Sequence, residues 1–248
     1  MRRIRITVSY DGTCYHGWQI QPDLPTIQGA IQDVLGRIEG GPVQVTGSGR
    51  TDAGAHALAQ VAAFHLKNPI PCDNLRRAMN RLLSRDIRVL EAAEASPDFH
   101  PRYHAVAKTY EYRIWRAEVC PPFERLYVHH HPYPLDEPCM TELASLIEGE
   151  HDFSAFAAAD DADELGRSKV RRIFSSCLQR SGDRLIYRAR GSGFLKHMVR
   201  NIVGVLLEIG KGNLDRAGLE ARLEPGCSIR PGPTAPARGL VLMGVEYQ

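Results

Sequence analysis

The sequence lacks several features that mark specialised classes of protein. It has no run near the roughly 18 apolar residues of a membrane-spanning helix, and its charged N-terminus lacks the apolar stretch of a signal peptide. The six cysteines are scattered without a CxxC pair, so no zinc knuckle or redox motif is indicated. In a chain without an export signal, reduced thiols are expected. We therefore predict a cytoplasmic protein that is not associated with a membrane.

The pattern of apolar and polar residues predicts interspersed strands and helices. Residues 3–10 alternate between apolar and polar side chains, which predicts a strand with one buried face. Thr26 stands at the N-cap position of a helix over residues 27–38, where apolar residues recur at helical spacing. The longest predicted helix covers residues 194–209. The other predicted helices are 71–83, 138–147 and 215–223, and the other predicted strands are 43–45, 60–66, 87–90, 110–114, 170–178, 184–189 and 239–245.

These elements lack the regular strand–helix–strand alternation of a doubly wound sheet, which favours an α+β fold. A chain of 248 residues can bury a substantial core, and it suits one large domain or two modest ones. We predict two α+β domains, residues 1–105 and residues 106–248.

The charge of the chain is unevenly distributed, although its net value is only +2. Residues 165–211 hold eleven basic residues against two acidic ones, a net charge of +9. Residues 136–164 hold ten acidic residues and no lysine or arginine. A concentration of positive charge is what a surface that binds a polyanion requires. Ordinary solvated faces of strands and helices would give the same count, so the charge alone leaves both interpretations open.

The segment from Gly47 to His56 is the most unusual in the chain. Three glycines in eight residues permit unusual backbone turns and let a ligand approach the backbone closely. Asp52 lies in this loop, two residues after Arg50. An aspartate beside a glycine is most often a turn residue. The loop by itself therefore leaves open whether Asp52 is a turn residue or an active-site carboxylate.

Eight sequence blocks, in order along the whole chain, extend the pattern beyond this loop. They are YDGTCYHGWQ at 10–19, TIQG at 26–29, GSGRTDAGAH at 47–56, FHPRYHA at 99–105, KTYEYRI at 108–114, HDFSAF at 151–156, GFLKHMVRNIVG at 193–204 and PTAPARGL at 233–240. In content and order they resemble the TruA-type tRNA pseudouridine synthases. One departure is the sequence at 101–103, where the family more often has a small residue and a phenylalanine around the arginine.

The resemblance implies a specific reaction and a specific carboxylate. The glycosidic bond of a uridine is broken, the base is turned, and the base is rejoined through carbon without a cofactor, a metal or another reactant. Asp52 matches the family's catalytic aspartate, which acts either as a nucleophile or as a base. Arg200 matches the basic residue that pairs with it, and an opposite charge favours the ionised carboxylate. Without the resemblance, Arg200 would be read as an ordinary arginine on a helix surface.

Further residues are assigned to substrate binding. Tyr110 matches the tyrosine that packs against the target base, because a base turned out of its stack needs a new aromatic platform. Alternation puts Tyr112 on the same strand face, and we expect one of the two tyrosines to be core. Arg50 is predicted to hold a phosphate or to help extrude the base. The other predicted substrate-binding residues are Lys196, on the same predicted helix face as Arg200, together with Arg171 and Arg172.

The histidines do not indicate a metal site. His129, His130 and His131 follow one another, and consecutive residues of an extended segment point to alternate sides. No cluster of acidic or thiol side chains accompanies them or the other candidates, His56 and Gln60. We predict that the protein binds no metal.

The resemblance also implies an architecture and partners. The family fold is a two-domain α+β structure with a central, largely antiparallel sheet flanked by helices and an inter-domain cleft. Its members are homodimers that bind tRNA, and their targets are uridines at positions 38–40 in the anticodon stem-loop. The alternatives are a pseudouridine synthase that acts on another RNA and a non-catalytic RNA-binding module. An aspartate-dependent hydrolase would need a second acid or base, and none stands near Asp52 in the sequence.

Overall fold

The computed structural model of the chain describes residues 1–159 and 168–248. The chain divides into two compact units. Unit 1 consists of Met1–Val106 with Val241–Gln248, and unit 2 of Ala107–Leu240. The two domains expected at residues 1–105 and 106–248 stay a prediction. The units differ from them because Val106 and the last eight residues belong to unit 1.

The described residues contain ten strands and five α-helices. The strands are β1 (Arg2–Tyr10), β2 (Val45–Gly47), β3 (His56–Leu66), β4 (Ile87–Glu94), β5 (Ala105–Trp115), β6 (His129–His130), β7 (Gly149–Asp152), β8 (Val170–Ser181), β9 (Arg184–Gly191) and β10 (Leu240–Tyr247). The helices are α1 (Ile27–Glu39), α2 (Cys72–Leu82), α3 (Glu137–Ala144), α4 (Met198–Gly210) and α5 (Arg216–Leu223). Helices and strands are interspersed and most pairings are antiparallel, so the predicted α+β class is confirmed.

The sheet of unit 1 has the strand order β4-β1-β3-β10, with β2 also paired to β3. Only the β3–β10 pairing among these strands is parallel, with Val241 opposite His56. In β1, Ile4, Ile6 and Val8 are fully buried while the residues between them are partly exposed, which confirms the predicted one-sided strand. Helix α1 begins as predicted. The side chain of Thr26 accepts a hydrogen bond from the amide of Gly29, the third residue of the helix, and so caps its N-terminus.

The sheet of unit 2 has the strand order β5-β9-β8-β7, and β6 pairs with β5 in parallel. Strands β8 and β9 form the predicted antiparallel pair, and Gly182 takes a left-handed conformation at the turn between them. Helix α3 packs against α4 and β8. Across residues 1–159 and 168–248, the helices are too short or too polar to cross a membrane.

The start of α4 differs from its prediction. The helix begins at Met198 rather than at residue 194, because His197 has a φ angle of 61°, in the left-handed region that a helix cannot continue through. Lys196 is therefore outside the helix, and the prediction that it shares a helix face with Arg200 was wrong. A similar, smaller difference ends α3 at Ala144, after which residues 145–147 form a turn of 3₁₀-helix.

Candidate active site

Asp52 lies in the loop that joins β2 to β3 in unit 1. Ser48 at the start of the loop is fully buried, and Thr51 beside the carboxylate is only 6% exposed. Asp52 itself is partly exposed, and Arg50 is exposed. The loop therefore anchors its backbone in the core of unit 1 while it leaves the carboxylate and the guanidinium within reach of solvent.

Residues 11–18 pack directly against the backbone of the Asp52 loop. The amide of Trp18 donates a hydrogen bond of 3.1 Å to the carbonyl oxygen of Thr51. A Cβ atom on Gly12 would lie 1.9 Å from the carbonyl oxygen of Ala55, so the two segments approach as closely as only glycine allows. The first sequence block is thus a support for the loop that carries Asp52, a relationship that no local pattern reveals.

Two buried polar side chains of β3 complete this support. Gln60, which is fully buried, accepts a hydrogen bond from the Ser48 hydroxyl and donates one of 3.1 Å to the carbonyl oxygen of Gly49. The Nδ1 atom of His56 lies 3.1 Å from the amide of Gly12. Both side chains that invited a metal interpretation are therefore used in hydrogen bonds that hold the loop and its neighbouring segment.

Tyr110 and Tyr112 lie on β5 in unit 2, and both are largely buried. The ring of Tyr110 is 7% exposed and meets the ring of Phe194 edge to face, with 5.0 Å between the centroids. Tyr112 is fully buried, and its hydroxyl donates a hydrogen bond of 2.7 Å to the carbonyl oxygen of Pro236. Tyr112 is therefore a core residue, while the expected contact of Tyr110 with a target base stays a prediction.

Arg200 is on α4 and is bound to the segment after α5. Its Nε donates a hydrogen bond of 2.7 Å to the carbonyl oxygen of Ala235, and the amide of Ala235 donates one of 3.2 Å back to the carbonyl oxygen of Arg200. These two hydrogen bonds fix both the side chain and the backbone of Arg200 against this segment. Its pairing with Asp52 stays a prediction.

Asn201 and Gly204 on α4 also contact the segment that binds Arg200, residues 233–235. Neither residue was assigned a role from the sequence. The side-chain amide of Asn201 is buried, and its oxygen accepts a hydrogen bond of 2.7 Å from the Thr234 hydroxyl. A Cβ atom on Gly204 would lie 1.6 Å from the carbonyl oxygen of Pro233. Both residues lie in the sequence block at 193–204, but their packing role follows from a contact between distant parts of the chain.

The predicted phosphate-binding residues of unit 2 differ in their surroundings. Arg171 donates a hydrogen bond of 2.9 Å to the carbonyl oxygen of Ser168, and Lys196 donates one of 3.0 Å to that of Ala159. Arg172 is exposed. These carbonyl acceptors hold the side chains of Arg171 and Lys196 in place, and the contact of all three residues with phosphate stays a prediction.

Carboxylates outside the basic segment neutralise three of its arginines, and Lys211 pairs with Glu208 inside the segment. The pairs are Arg180 with Glu137, Arg184 with Glu124, Arg188 with Glu111, and Lys211 with Glu208. The net charge counted along the sequence therefore overstates the positive charge that a polyanion meets. Residues 165–167 of that segment, including Arg167, lie outside the described residues, as do residues 160–164 of the acidic stretch.

The histidine run packs among aromatic rings. The ring of His129 lies 6.5 Å from that of Tyr112 and 5.9 Å from that of His131. Burial, together with the nearby charges of His131 and Arg238, lowers the pKa of His129 to about 4. Among the residues that the structure describes, no three histidine, cysteine, aspartate or glutamate side chains are grouped as metal ligands would be.

Comparison with known proteins gives matches along the whole chain. A family model described as tRNA pseudouridine synthase matches residues 6–104 and 143–248. A protein of Solibacter usitatus named tRNA pseudouridine synthase A is 62% identical over 248 residues and covers 100% of both chains. A protein of the same name from Halalkalibacterium halodurans is 44% identical over 242 residues, which is 97% of this chain and 91% of that one.

One solved structure also aligns with most of this chain, at low sequence identity. A chain in the crystal structure of the archaeal box H/ACA sRNP Nop10-Cbf5 complex aligns with 96% of this chain at 10% identity and a TM-score of 0.31. The alignment covers 45% of that chain.

Proposed function

The chain belongs to the tRNA pseudouridine synthase family, and we propose that it modifies uridines at positions 38–40, in the anticodon stem-loop. It is an isomerase that converts uridine in tRNA to pseudouridine. The observation that carries this function is the similarity to synthases of that name over the full length of the chain. The positions within tRNA rest on the resemblance of the eight sequence blocks.

The reaction exchanges one bond of the base for another. The bond between N1 of uracil and C1′ of the ribose breaks, and a bond between C5 and C1′ forms. C5 loses its hydrogen to solvent and N1 gains a proton, so the product is an isomer of the substrate. No electrons are transferred to another molecule, and no cofactor is required by this balance.

We assign the essential step to the carboxylate of Asp52. Both possible routes, attack by the carboxylate and removal of a sugar proton, require an ionised carboxylate next to the uridine. The partial exposure of Asp52 supports this role, because a substrate can reach it. The buried Thr51 beside it also supports the role, because a firmly held backbone limits the positions the carboxylate can adopt.

Arg200 and Tyr110 have supporting roles in this proposal. Arg200 would favour the ionised state of Asp52, and its hydrogen bond to the carbonyl oxygen of Ala235 would hold the guanidinium in a fixed position for that role. Tyr110 would receive the uracil ring, and its contact with Phe194 would hold the tyrosine ring in a fixed orientation. Loss of turnover with little loss of tRNA affinity in Arg200→Ala would support the first role.

The phosphate contacts in this proposal come from Arg50, Arg171, Arg172 and Lys196. Arg50, Arg172 and Lys196 are exposed, and Arg171 is half-buried. Guanidinium and ammonium groups at a surface supply most of the sequence-independent affinity for a nucleic acid. We also propose that the protein is a cytoplasmic homodimer, and sedimentation equilibrium should then give twice the chain mass of 27.6 kDa.

Labelled tRNA tests the proposed positions directly. A tRNA transcript tritiated at uridine C5, with uridines at positions 38–40, should release tritium when the protein is added. A matched transcript with cytidines at those three positions should release none. Equal release from both transcripts would move the target elsewhere in tRNA. Release from ribosomal RNA fragments, but from neither tRNA, would instead favour the synthase of another RNA.

A further inference from the structure

Thr51, the residue immediately before Asp52, is held at two points by the N-terminal segment of unit 1. Its carbonyl oxygen accepts a hydrogen bond of 3.1 Å from the amide of Trp18. Its hydroxyl lies 2.8 Å from the hydroxyl of Tyr10, in a contact that is itself buried. The backbone next to the candidate catalytic carboxylate is therefore fixed on both its main-chain and side-chain sides.

Tyr10 is itself firmly held. It is the last residue of β1, it is 4% exposed, and it pairs with Ala57 of β3 just after a β-bulge that follows Val8. The centroid of its ring lies 6.1 Å from that of the Trp18 ring. The Trp18 indole in turn packs directly on Gly47, where a Cβ atom would lie only 2.6 Å from it. A hydrogen bond from so restrained a group restricts its partner much more than a bond from a surface side chain would.

The phenol of Tyr10 is neutral at physiological pH. Burial raises the pKa of Tyr10, and hydrogen bonds with Thr51 and Gln60 oppose that effect only in part. A neutral hydroxyl can both donate and accept, so it can bind the Thr51 hydroxyl and reach Gln60 as well. Gln60 in turn holds the start of the Asp52 loop at Ser48, so one buried network reaches the loop at both Ser48 and Thr51.

We propose that Tyr10 and Thr51 are positioning residues for pseudouridine formation, because their paired hydroxyls fix the backbone that carries Asp52. The inference rests on the proposed role of Asp52. Neither side chain need touch the substrate. The carboxylate must stand within a few tenths of an ångström of its reacting atom, and a misplacement of about 1 Å costs on the order of 100-fold in rate. Loss of the Tyr10–Thr51 bond should therefore appear in the chemical step.

The test compares single-turnover tritium release by the parent protein with release by Tyr10→Phe, Thr51→Val and the double variant. Each change removes one hydroxyl and keeps the shape of the side chain. We expect each single variant to lose about 10- to 100-fold in the single-turnover rate at saturating protein, with an unchanged protein concentration for half-saturation. The double variant should lose no more than the larger single loss, because both changes break the same bond. Thr51→Ser keeps the hydroxyl and should restore the rate.

Tyr187→Phe is the matched control. Tyr187 in unit 2 is also fully buried, and its hydroxyl also lies 2.8 Å from another hydroxyl, that of Ser176. It should show a similar small drop in midpoint of thermal unfolding and keep the parent rate. Equal rate losses in Tyr187→Phe and Tyr10→Phe would overturn the inference, since general loosening of the core would then explain both.

Two other results would also decide the matter. Equal rates of tritium release by the parent protein and by Tyr10→Phe would overturn the positioning role. The proposed function would then remain intact. A parent protein that releases no tritium from tRNA would overturn the proposed function, and with it the inference. A rise in the half-saturating protein concentration, with an unchanged rate at saturation, would make the two hydroxyls part of tRNA binding rather than of positioning.

Discussion

The guanidinium of Arg188 on β9 binds the carboxylate of Glu111, its direct cross-strand neighbour on β5, with Nε 3.1 Å from Oε1. Arg113, two residues along β5, binds the other carboxylate oxygen at 3.1 Å. Glu111 is 4% exposed, so both of its oxygens find partners in arginines rather than in water. This cluster shows why the basic segment is less available to a polyanion than its sequence suggests.

Removal of Arg188 should destabilise the protein. Arg188→Ala leaves the buried carboxylate with one arginine, and a poorly paired buried charge costs about 1–3 kcal/mol. Urea unfolding measures the change in free energy of unfolding. Arg216→Ala is the control, because Arg216 and its partner Glu220 are both about half exposed. A surface pair of that kind contributes about 0–1 kcal/mol. Equal losses in the two variants would contradict the account of Glu111.

The stability conferred by Glu111 should depend on pH in the acid range. Burial would raise the pKa of Glu111, but hydrogen bonds and charge from Arg188 and Arg113 outweigh it and hold the pKa below its usual value. The stabilisation is therefore fully present above the unfolded pKa of about 4.3 and is lost as pH falls through the folded pKa. Glu111→Gln should flatten the fall in stability below about pH 4.3. An unchanged slope would show that Glu111 titrates normally.

His129 should make the protein less stable between about pH 6.5 and pH 4. Its pKa is lowered to about 4 by burial, with smaller contributions from the charges of His131 and Arg238. In the unfolded chain the imidazole of His129 binds a proton below about pH 6.5. In the folded protein the same imidazole binds a proton only below about pH 4. Folded stability therefore falls as pH drops through this window. His129→Gln should reduce that fall, as followed by thermal unfolding, and an unchanged fall would contradict this origin of the pH dependence.

Because α4 approaches Pro233 closely at Gly204, adding one methyl group at Gly204 should have a large effect on stability. Gly204→Ala should destabilise the protein by about 1–3 kcal/mol or more, because the new Cβ would lie 1.6 Å from a backbone oxygen. Turnover should also fall, since Arg200 is held by the same segment. Gly36→Ala, in the interior of α1, is the control, with its nearest atom at 3.4 Å. That variant should be neutral or stabilising by up to about 1 kcal/mol, and the opposite ranking would contradict the packing.

Salt dependence tests the proposed phosphate contacts. Neutralising Arg171 and Arg172 together should lower the slope of log affinity for tRNA against log salt by about 0.7–0.9 for each contact removed. Arg216→Gln, whose charge is paired with Glu220, should leave the slope unchanged. An unchanged slope in the double variant would show that neither arginine contacts phosphate.

The sequence predicts the elements that local pattern controls. The alternation of Ile4, Ile6 and Val8 and the cap at Thr26 fix β1 and the start of α1, and both are confirmed. The local sequence pattern does not predict contacts between distant segments of the chain. The parallel pairing of β10 with β3 involves residues 185 positions apart at Val241 and His56. The fit of Gly12 against the Asp52 loop is of the same kind, because nothing near Gly12 in the sequence specifies its neighbour.

The break before α4 was missed for a different reason. Apolar periodicity continues smoothly through Phe194 and Leu195, so the pattern predicts a helix there. The left-handed conformation of His197 interrupts it, which is unusual for a residue other than glycine. The resemblance supplies the identity of candidate site residues such as Asp52 and Arg200, whereas composition and spacing leave them indistinguishable from a turn aspartate and a helix-surface arginine.

The role of Asp52 is tested most directly by tritium release from tRNA labelled at uridine C5, with the parent protein and with Asp52→Asn, and with no added metal or cofactor. We expect release by the parent and none by the variant, although the variant still folds and binds tRNA. Equal release by the two proteins would contradict the role of Asp52. No release by either protein, with tRNA binding intact, would contradict the enzymatic function and favour the RNA-binding module.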